Sequence, residues 1–194
     1  MSGGLRERTR SAVRAQLAEL ALELFAEHGF DETTVEQVAR AAGVSTRSLF
    51  RYFPTKEDMV LDSVDAMGDA VAEELRARPA DEDPWTSLHA VLHTWATRIA
   101  AAGERLTRLQ LIERTPALRA RSAQRREEAR LRVAEVLRER TGLDAFTADL
   151  LTAAAGAALE AAEREWLRSG GTTDHAALVD RAFAALRPTS AAAG

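Results

Sequence analysis

The chain has 194 residues, no cysteine and a formal charge of −4, with 30 acidic against 26 basic side chains. Apolar residues make up 46% but aromatics only 5%, and Ala, Leu and Arg dominate, so helix formers abound and strand formers are scarce. Disulfides, thiolate metal sites and thiol nucleophiles are excluded, and the composition points to an all-α fold long enough to bury a core without staples.

In chain order, Arg6, Arg8, Arg10 and Arg14 face only Glu7 and form a basic N-terminal arm. Such an arm either contacts phosphate or the minor groove, or is a solvated tail. Val13, Leu17, Leu20, Ala21, Leu24 and Phe25 then share one helical face, with Gly29 as the stop signal. Thr33 with Glu36 has the form of a capping box opening a short helix to about Ala42. The break at Gly43 suits a positive φ angle. Ser45 is positioned to cap a helix over 46–53, which Pro54 ends, and Thr55 can cap the next from Lys56.

The run 78–84, RPADEDP, reads as a linker. Longer helices follow: 85–102 stopped by Gly103, 105–114, and 116–140 opened by Thr115-Pro116. Two more span about 144–168 and 174–186, before a tail, TSAAAG, expected to be disordered. No apolar run approaches the roughly 18 residues of a membrane span, and the charged start lacks a signal peptide's apolar stretch. A cytoplasmic protein is expected.

The strongest functional signal lies at 35–52. A helix-turn-helix needs a small residue where its helices approach, a glycine in the turn, and apolar supports. Ala39 and Gly43 supply the first two, and Val35, Val38, Ala42, Val44 and Leu49 the third. From Arg40 to Lys56 there are four cations and no acid, and Lys56 is the only lysine in the chain. With 46–53 as recognition helix, Ser45, Thr46 and Arg47 face the groove, and Arg51 lies one turn on. Arg47 can donate a bidentate pair to guanine O6 and N7. The bland alternative, two arginines solvating an exposed face, loses force without nearby acids.

The segment TTVEQVARAAGVSTRSLFRYFPTKEDMV at 33–60 resembles the N-terminal domain of TetR-family transcriptional regulators. The likeness rests on Gly43-Val44-Ser45, then Phe50, Tyr52-Phe53 and Lys56-Glu57, and on the preceding LALELFAEHGFDETT. It implies an all-α homodimer on a palindromic DNA operator, a repressor released when a small molecule enters the C-terminal domain. It divides the chain into a DNA-binding domain (1–57), a ligand-binding and dimerisation domain (58–188) and a tail (189–194). Carried over residue by residue, the family's phosphate contacts fall on Thr34, Tyr52 and Lys56. Phe50 stands where the family often has Tyr; without a hydroxyl it either packs inward or touches a thymine methyl.

Ala153, Ala154, Ala155, Gly156, Ala157, Ala158, Ala161 and Ala162 make the 144–168 helix unusually small-surfaced. With the 174–186 helix it is the expected homodimer interface, a four-helix bundle from two subunits; an internal core helix is the alternative. The segments LTRLQLIERTPALRAR and LLTAAAGAALEAAEREWL resemble the TetR subgroup that includes the mycofactocin-system regulator. That resemblance implies a small apolar or acyl-coenzyme-A-like effector. Trp95, Ile99, Leu109, Ile112, Leu151, Ala155, Leu159 and Trp166 are its candidate pocket, although each residue alone reads as core.

His89 and His93 are four apart on one helix, a spacing that can clamp a metal. Without a visible third ligand they read as packed or exposed histidines, and neither metal nor cofactor is expected. No Gly-x-Ser-x-Gly, phosphate-cradling glycine loop or His-Glu-x-x-His occurs, so an enzyme is not expected. The competing reading is a helical small-molecule carrier with a non-functional DNA-binding head.

Overall fold

The computed structural model describes residues 3–101 and 104–187. Among these residues there are helices and no strands: α1 (Gly3–His28), α2 (Val35–Ala41), α3 (Thr46–Phe50), α4 (Lys56–Arg76), α5 (Pro84–Ala101), α6 (Glu104–Arg114), α7 (Pro116–Thr141), α8 (Ala145–Arg168) and α9 (His175–Ala185). The expected stop at Gly103 and the tail at 189–194 lie outside the described residues. The chain is all-α, as its composition requires.

Local chemistry sets most boundaries. Asp144 and Asp174 cap α8 and α9, accepting from the backbone N–H of Thr147 at 3.0 Å and Ala177 at 3.2 Å. Gly43 closes α2 at φ +66°, and Gly29 ends the α1 region at φ +92°; both are values that side-chain-bearing residues avoid. Two expectations are corrected here. The N-cap of α2 is Thr34, not Thr33: Gln37 N–H donates to Thr34 Oγ1 at 3.2 Å, and Thr34 N–H donates to Gln37 Oε1 at 2.6 Å. Thr33 is buried and its hydroxyl donates to the Gly29 carbonyl at 2.7 Å. The basic arm is also no loose arm, because its residues from Gly3 onward are the first turns of α1.

Packing divides the chain into two compact units: residues to Val64 with Thr107–Ser122, and Asp65–Leu106 with Ala123 onward. This grouping differs from a linear division at residue 57, since α4 supplies its first half to one unit and its second half to the other.

The first unit has a continuous core. Leu17, Ala21 and Phe25 of α1 meet Val38 and Ala39 of α2, Leu49 of α3, then Phe53, Met59 and Val60. Ile112 of α6 and Leu118 of α7 join them. Phe25 and Phe30 pack edge to face, with centroids 5.1 Å apart. Fully burying side chains of this kind contributes roughly 1.5–3 kcal/mol each. Arg14 is drawn into the same packing. It pairs with Asp62 at 2.5 Å, and its guanidinium lies 5.1 Å from the Phe53 ring centroid.

In the second unit α5 packs against both α8 and α9. Trp85 meets Phe183 there, with centroids 4.6 Å apart. The segment expected to be a linker is instead a pinned turn between α4 and α5. Arg78 Nε donates to Glu82 Oε2 at 2.6 Å, and the buried Ser87 hydroxyl donates to the same oxygen at 2.7 Å. Those two hydrogen bonds outweigh desolvation and hold the Glu82 carboxyl at about 2. Arg140 of α7 donates to Ser87 Oγ at 2.7 Å and to the Pro79 carbonyl.

A Cβ added at Gly68 of α4 would lie 2.6 Å from Ala129 Cβ of α7, so those helices approach too closely for any larger residue. By length and composition alone α8 could cross a membrane, and 33% of its apolar window is buried in the chain.

Candidate nucleic-acid interface

α2, the turn 42–45 and α3 form the helix-turn-helix. Ala39 and Val38 are buried on α2, and Leu49 is fully buried on α3, so these contacts fix how the two helices cross. The turn is sealed by the Val44 N–H donating to the Ala39 carbonyl at 3.0 Å. Ser45 caps α3 by accepting from Ser48 N–H at 3.1 Å. α3 is shorter than the expected 46–53: it ends at Phe50, where the Leu49 carbonyl accepts from both Tyr52 and Phe53 N–H at 2.9 and 3.0 Å.

With Leu49 inward, the other side of α3 faces out. Arg47 and Arg51 are exposed and Thr46 is half-buried. No carboxylate among the described residues pairs with Arg40, Arg47 or Arg51. Their charge is therefore uncompensated. Phe50 is 45% exposed, which removes the inward-packed alternative for it. The Arg51 guanidinium lies 5.5 Å from the centroid of the half-buried Tyr52 ring. Thr34 is exposed at the N-terminus of α2; its oxygen accepts the capping bond and its hydroxyl proton remains free to donate outward.

Lys56 is anchored rather than free. Its ammonium donates to the Asp31 carbonyl at 3.5 Å and lies 4.3 Å from the Phe30 ring centroid. Beside it, Asp58 accepts from Thr55 N–H at 2.8 Å and has Arg121 at 3.7 Å. Of the basic start, Arg8 and Arg10 are exposed, Arg14 is engaged with Asp62, and the Arg6 side chain lies outside the described residues.

The expected effector residues do not all share one unit. Trp95 and Ile99 of α5, with Leu151, Ala155, Leu159 and Trp166 of α8, belong to the second. Leu109 and Ile112 belong to the first, and Ile112 lies in its core. Two polar residues of the second unit's interior were missed from sequence. Glu163 is buried on α8 and accepts from Arg126 of α7 at 2.7 Å. His175 is fully buried and stacks on Trp166, with centroids 5.0 Å apart and planes 15° from parallel. Neither His175 nitrogen nor Trp166 Nε1 completes a hydrogen bond. Burial pushes the His175 imidazole below its ordinary pKa, against the opposing pull of Glu163, the Ala96 backbone and Asp174. Nothing in the sequence sets Glu163 apart from Glu160 and Glu165 beside it on α8, and His175 had no signal either.

A cationic helix face free of acids, set on a buried support by a left-handed glycine turn, defines a helix-turn-helix DNA-binding protein with a second helical unit. The chain belongs to the TetR family of transcriptional regulators. Residues 17–62 match the model for bacterial regulatory proteins of the tetR family, and 82–191 match the MftR C-terminal domain. The chain is 34% identical to the HTH-type transcriptional regulator TcmR of Streptomyces glaucescens, over 95% of this chain and 87% of that protein.

Among solved structures, FadR of Thermus thermophilus in complex with lauroyl-CoA superposes with a TM-score of 0.63 at 24% identity, covering 93% of this chain and all of that one. FadR of Bacillus subtilis in complex with stearoyl-CoA gives 0.59 at 21%, covering 88% and 96%. Both likenesses establish the fold.

Proposed function

We propose that the protein is a cytoplasmic repressor that binds a palindromic operator as a homodimer and releases it when a small apolar or acyl-CoA-like effector occupies the second unit. The uncompensated cationic face of α3 carries this reading. Ser45, Thr46, Arg47, Phe50 and Arg51 are assigned to the groove, and Thr34, Tyr52 and Lys56 to the phosphates. The DNA-binding function is assigned to residues 1–57 and the effector and dimer functions to 58–188.

The dimer reading draws support from α8. Phe146 and Leu150 are 76% and 55% exposed, and with exposed Ala153, Ala157 and Ala161 they make one apolar stripe. Beside its end a groove of about 380 Å³ runs between α8 and α9, lined by Ala161, Ala162, Glu165, Arg168, Leu178, Arg181 and Ala182. A second copy of the same two helices would cover both. This also accounts for a helix as apolar as a membrane span in a DNA-binding protein.

For the effector, Trp95, Ile99, Leu151, Ala155, Leu159 and Trp166 offer apolar walls, and the unpartnered His175 and Trp166 nitrogens favour a ligand carrying an oxygen acceptor. Acyl-CoA complexes of FadR proteins with this fold support the class.

The test is a gel shift with DNA flanking the protein's own gene, repeated with acyl-CoAs of graded chain length. A saturable shift reversed by one chain-length range is expected. Failure to bind any such fragment at low salt would favour the carrier reading; binding that no acyl-CoA disturbs would remove the effector class.

A further inference from the structure

The second unit brings three metal-ligating side chains together. His89 and His93 lie four apart on α5, so both rings leave one helix face. α9 packs against α5 and supplies Asp180. Its Oδ1 lies 2.7 Å from His89 Nε2 and 2.8 Å from His93 Nδ1, and the three donor atoms all fall within 4.8 Å of one another. α5 alone offers only a pair. The third donor arrives by tertiary packing.

We propose that His89, His93 and Asp180 bind a divalent transition ion of the zinc, nickel or cobalt type, joining α5 to α9. Two imidazoles and one carboxylate suit such ions, whereas magnesium and calcium prefer all-oxygen sites. The His89 ring is backed by Phe183, with centroids 4.9 Å apart, and Phe183 by Trp85, which holds Nε2 towards Asp180.

A tetrahedral ion about 2.0–2.1 Å from each donor places the donors about 3.3 Å apart, so Asp180 must withdraw by about half an ångström from each nitrogen. Side-chain exposures of 35%, 42% and 48% leave room for that movement and for water in the fourth position.

The experiment uses the untagged full chain, stripped with EDTA and titrated with zinc, nickel and magnesium chlorides by calorimetry and thermal melting. One equivalent of zinc or nickel per chain should bind and raise Tm, with magnesium inert. His93→Ala and Asp180→Asn should each weaken binding more than about tenfold, because two protein ligands then remain. His28→Ala should change nothing, although His28 has Glu27 at 3.8 Å.

Absence of saturable binding means the trio is a hydrogen-bonded clasp only and overturns the proposal. So does binding that survives both variants or disappears with His28→Ala. Should the variants not fold, imidazole NMR of the unaltered chain decides. Zinc must shift the His89 and His93 resonances and spare that of His28; unshifted resonances overturn the proposal.

Discussion

The Lys56 ammonium lies 4.3 Å from the centroid of the Phe30 ring and donates to the Asp31 carbonyl. A cation at the first turn of a helix opposes the macrodipole by about 0.3–1 kcal/mol, and the ring and carbonyl offset that cost. The same contacts hold the charge where a phosphate could meet both it and the start of α4. Lys56→Ala should therefore weaken binding to specific and random DNA alike and lower the salt slope by about one per subunit. The unliganded protein should lose less than about 1 kcal/mol of stability, since the cation–π contact and the macrodipole penalty are removed together. An unchanged salt slope with lowered stability would leave Lys56 a structural cation only.

Arg47 has no carboxylate partner among the described residues, so its removal should leave folding intact. Arg47→Ala is expected to cost about 1–3 kcal/mol of operator affinity and to relax preference at one base position. Operator variants in a competition gel shift measure this. Equal loss on every sequence would contradict base reading.

The approach of α4 to α7 at Gly68 admits no side chain. Gly68→Ala puts a methyl 2.6 Å from Ala129 Cβ, and backbone on both sides must yield. Overpacking of this kind costs about 1–3 kcal/mol, although alanine is the better helix former. Urea melts of Gly68→Ala alone and with Ala129→Gly report it. The second substitution should recover most of the loss, and a neutral or stabilising single variant would contradict the close contact.

Glu163 and Arg126 should respond unequally to removal, since their side chains are 5% and 31% exposed. Arg126→Ala strands a buried carboxylate and is expected to cost on the order of 3 kcal/mol. Glu163→Gln leaves an arginine that reaches water and should cost less. Chemical denaturation of both variants at pH 7 decides the order.

Burial lowers the His175 pKa from its ordinary 6.5 in the folded chain. Below that value the unfolded state takes up a proton before the folded state does, so stability rises with pH in this window. The His175 contribution is therefore complete above about pH 6.5 and is lost as pH falls towards the folded pKa. His175→Phe should flatten the slope of stability below about pH 6.5. An unaltered slope would assign the acid sensitivity elsewhere.

The helix order was largely legible because capping residues, glycines and prolines punctuate it. Where two residues offered the same chemistry it was not. Thr33 with Glu36 and Thr34 with Gln37 are both capping boxes on paper, and the choice is made by the Gly29 carbonyl, which draws Thr33 inward. Ile112 sits in a stretch that reads as part of the C-terminal domain, yet it belongs to the same buried core as Leu17 and Phe25, a long-range grouping that spacing does not encode.

Arg14 read as part of an arm because its partner, Asp62, lies on a different helix. Glu163 and Asp180 were hidden in the same way, being ordinary surface acids until Arg126 and the two histidines are brought to them. The outward cations of the recognition helix were legible, because a helical period on a buried Leu49 places them without any distant partner.

A chain with one lysine also carries its own clock. A lysine-specific protease has a single cleavage site in this sequence, after Lys56, at the first turn of α4 with the side chain folded over Phe30. Cleavage there requires the turn to unwind, so its rate at limiting protease, where reclosing outpaces cleavage, reports the opening free energy of that one turn. Footprinting by digestion, with and without operator DNA, would then read occupancy of the phosphate-facing edge from the disappearance of a single band.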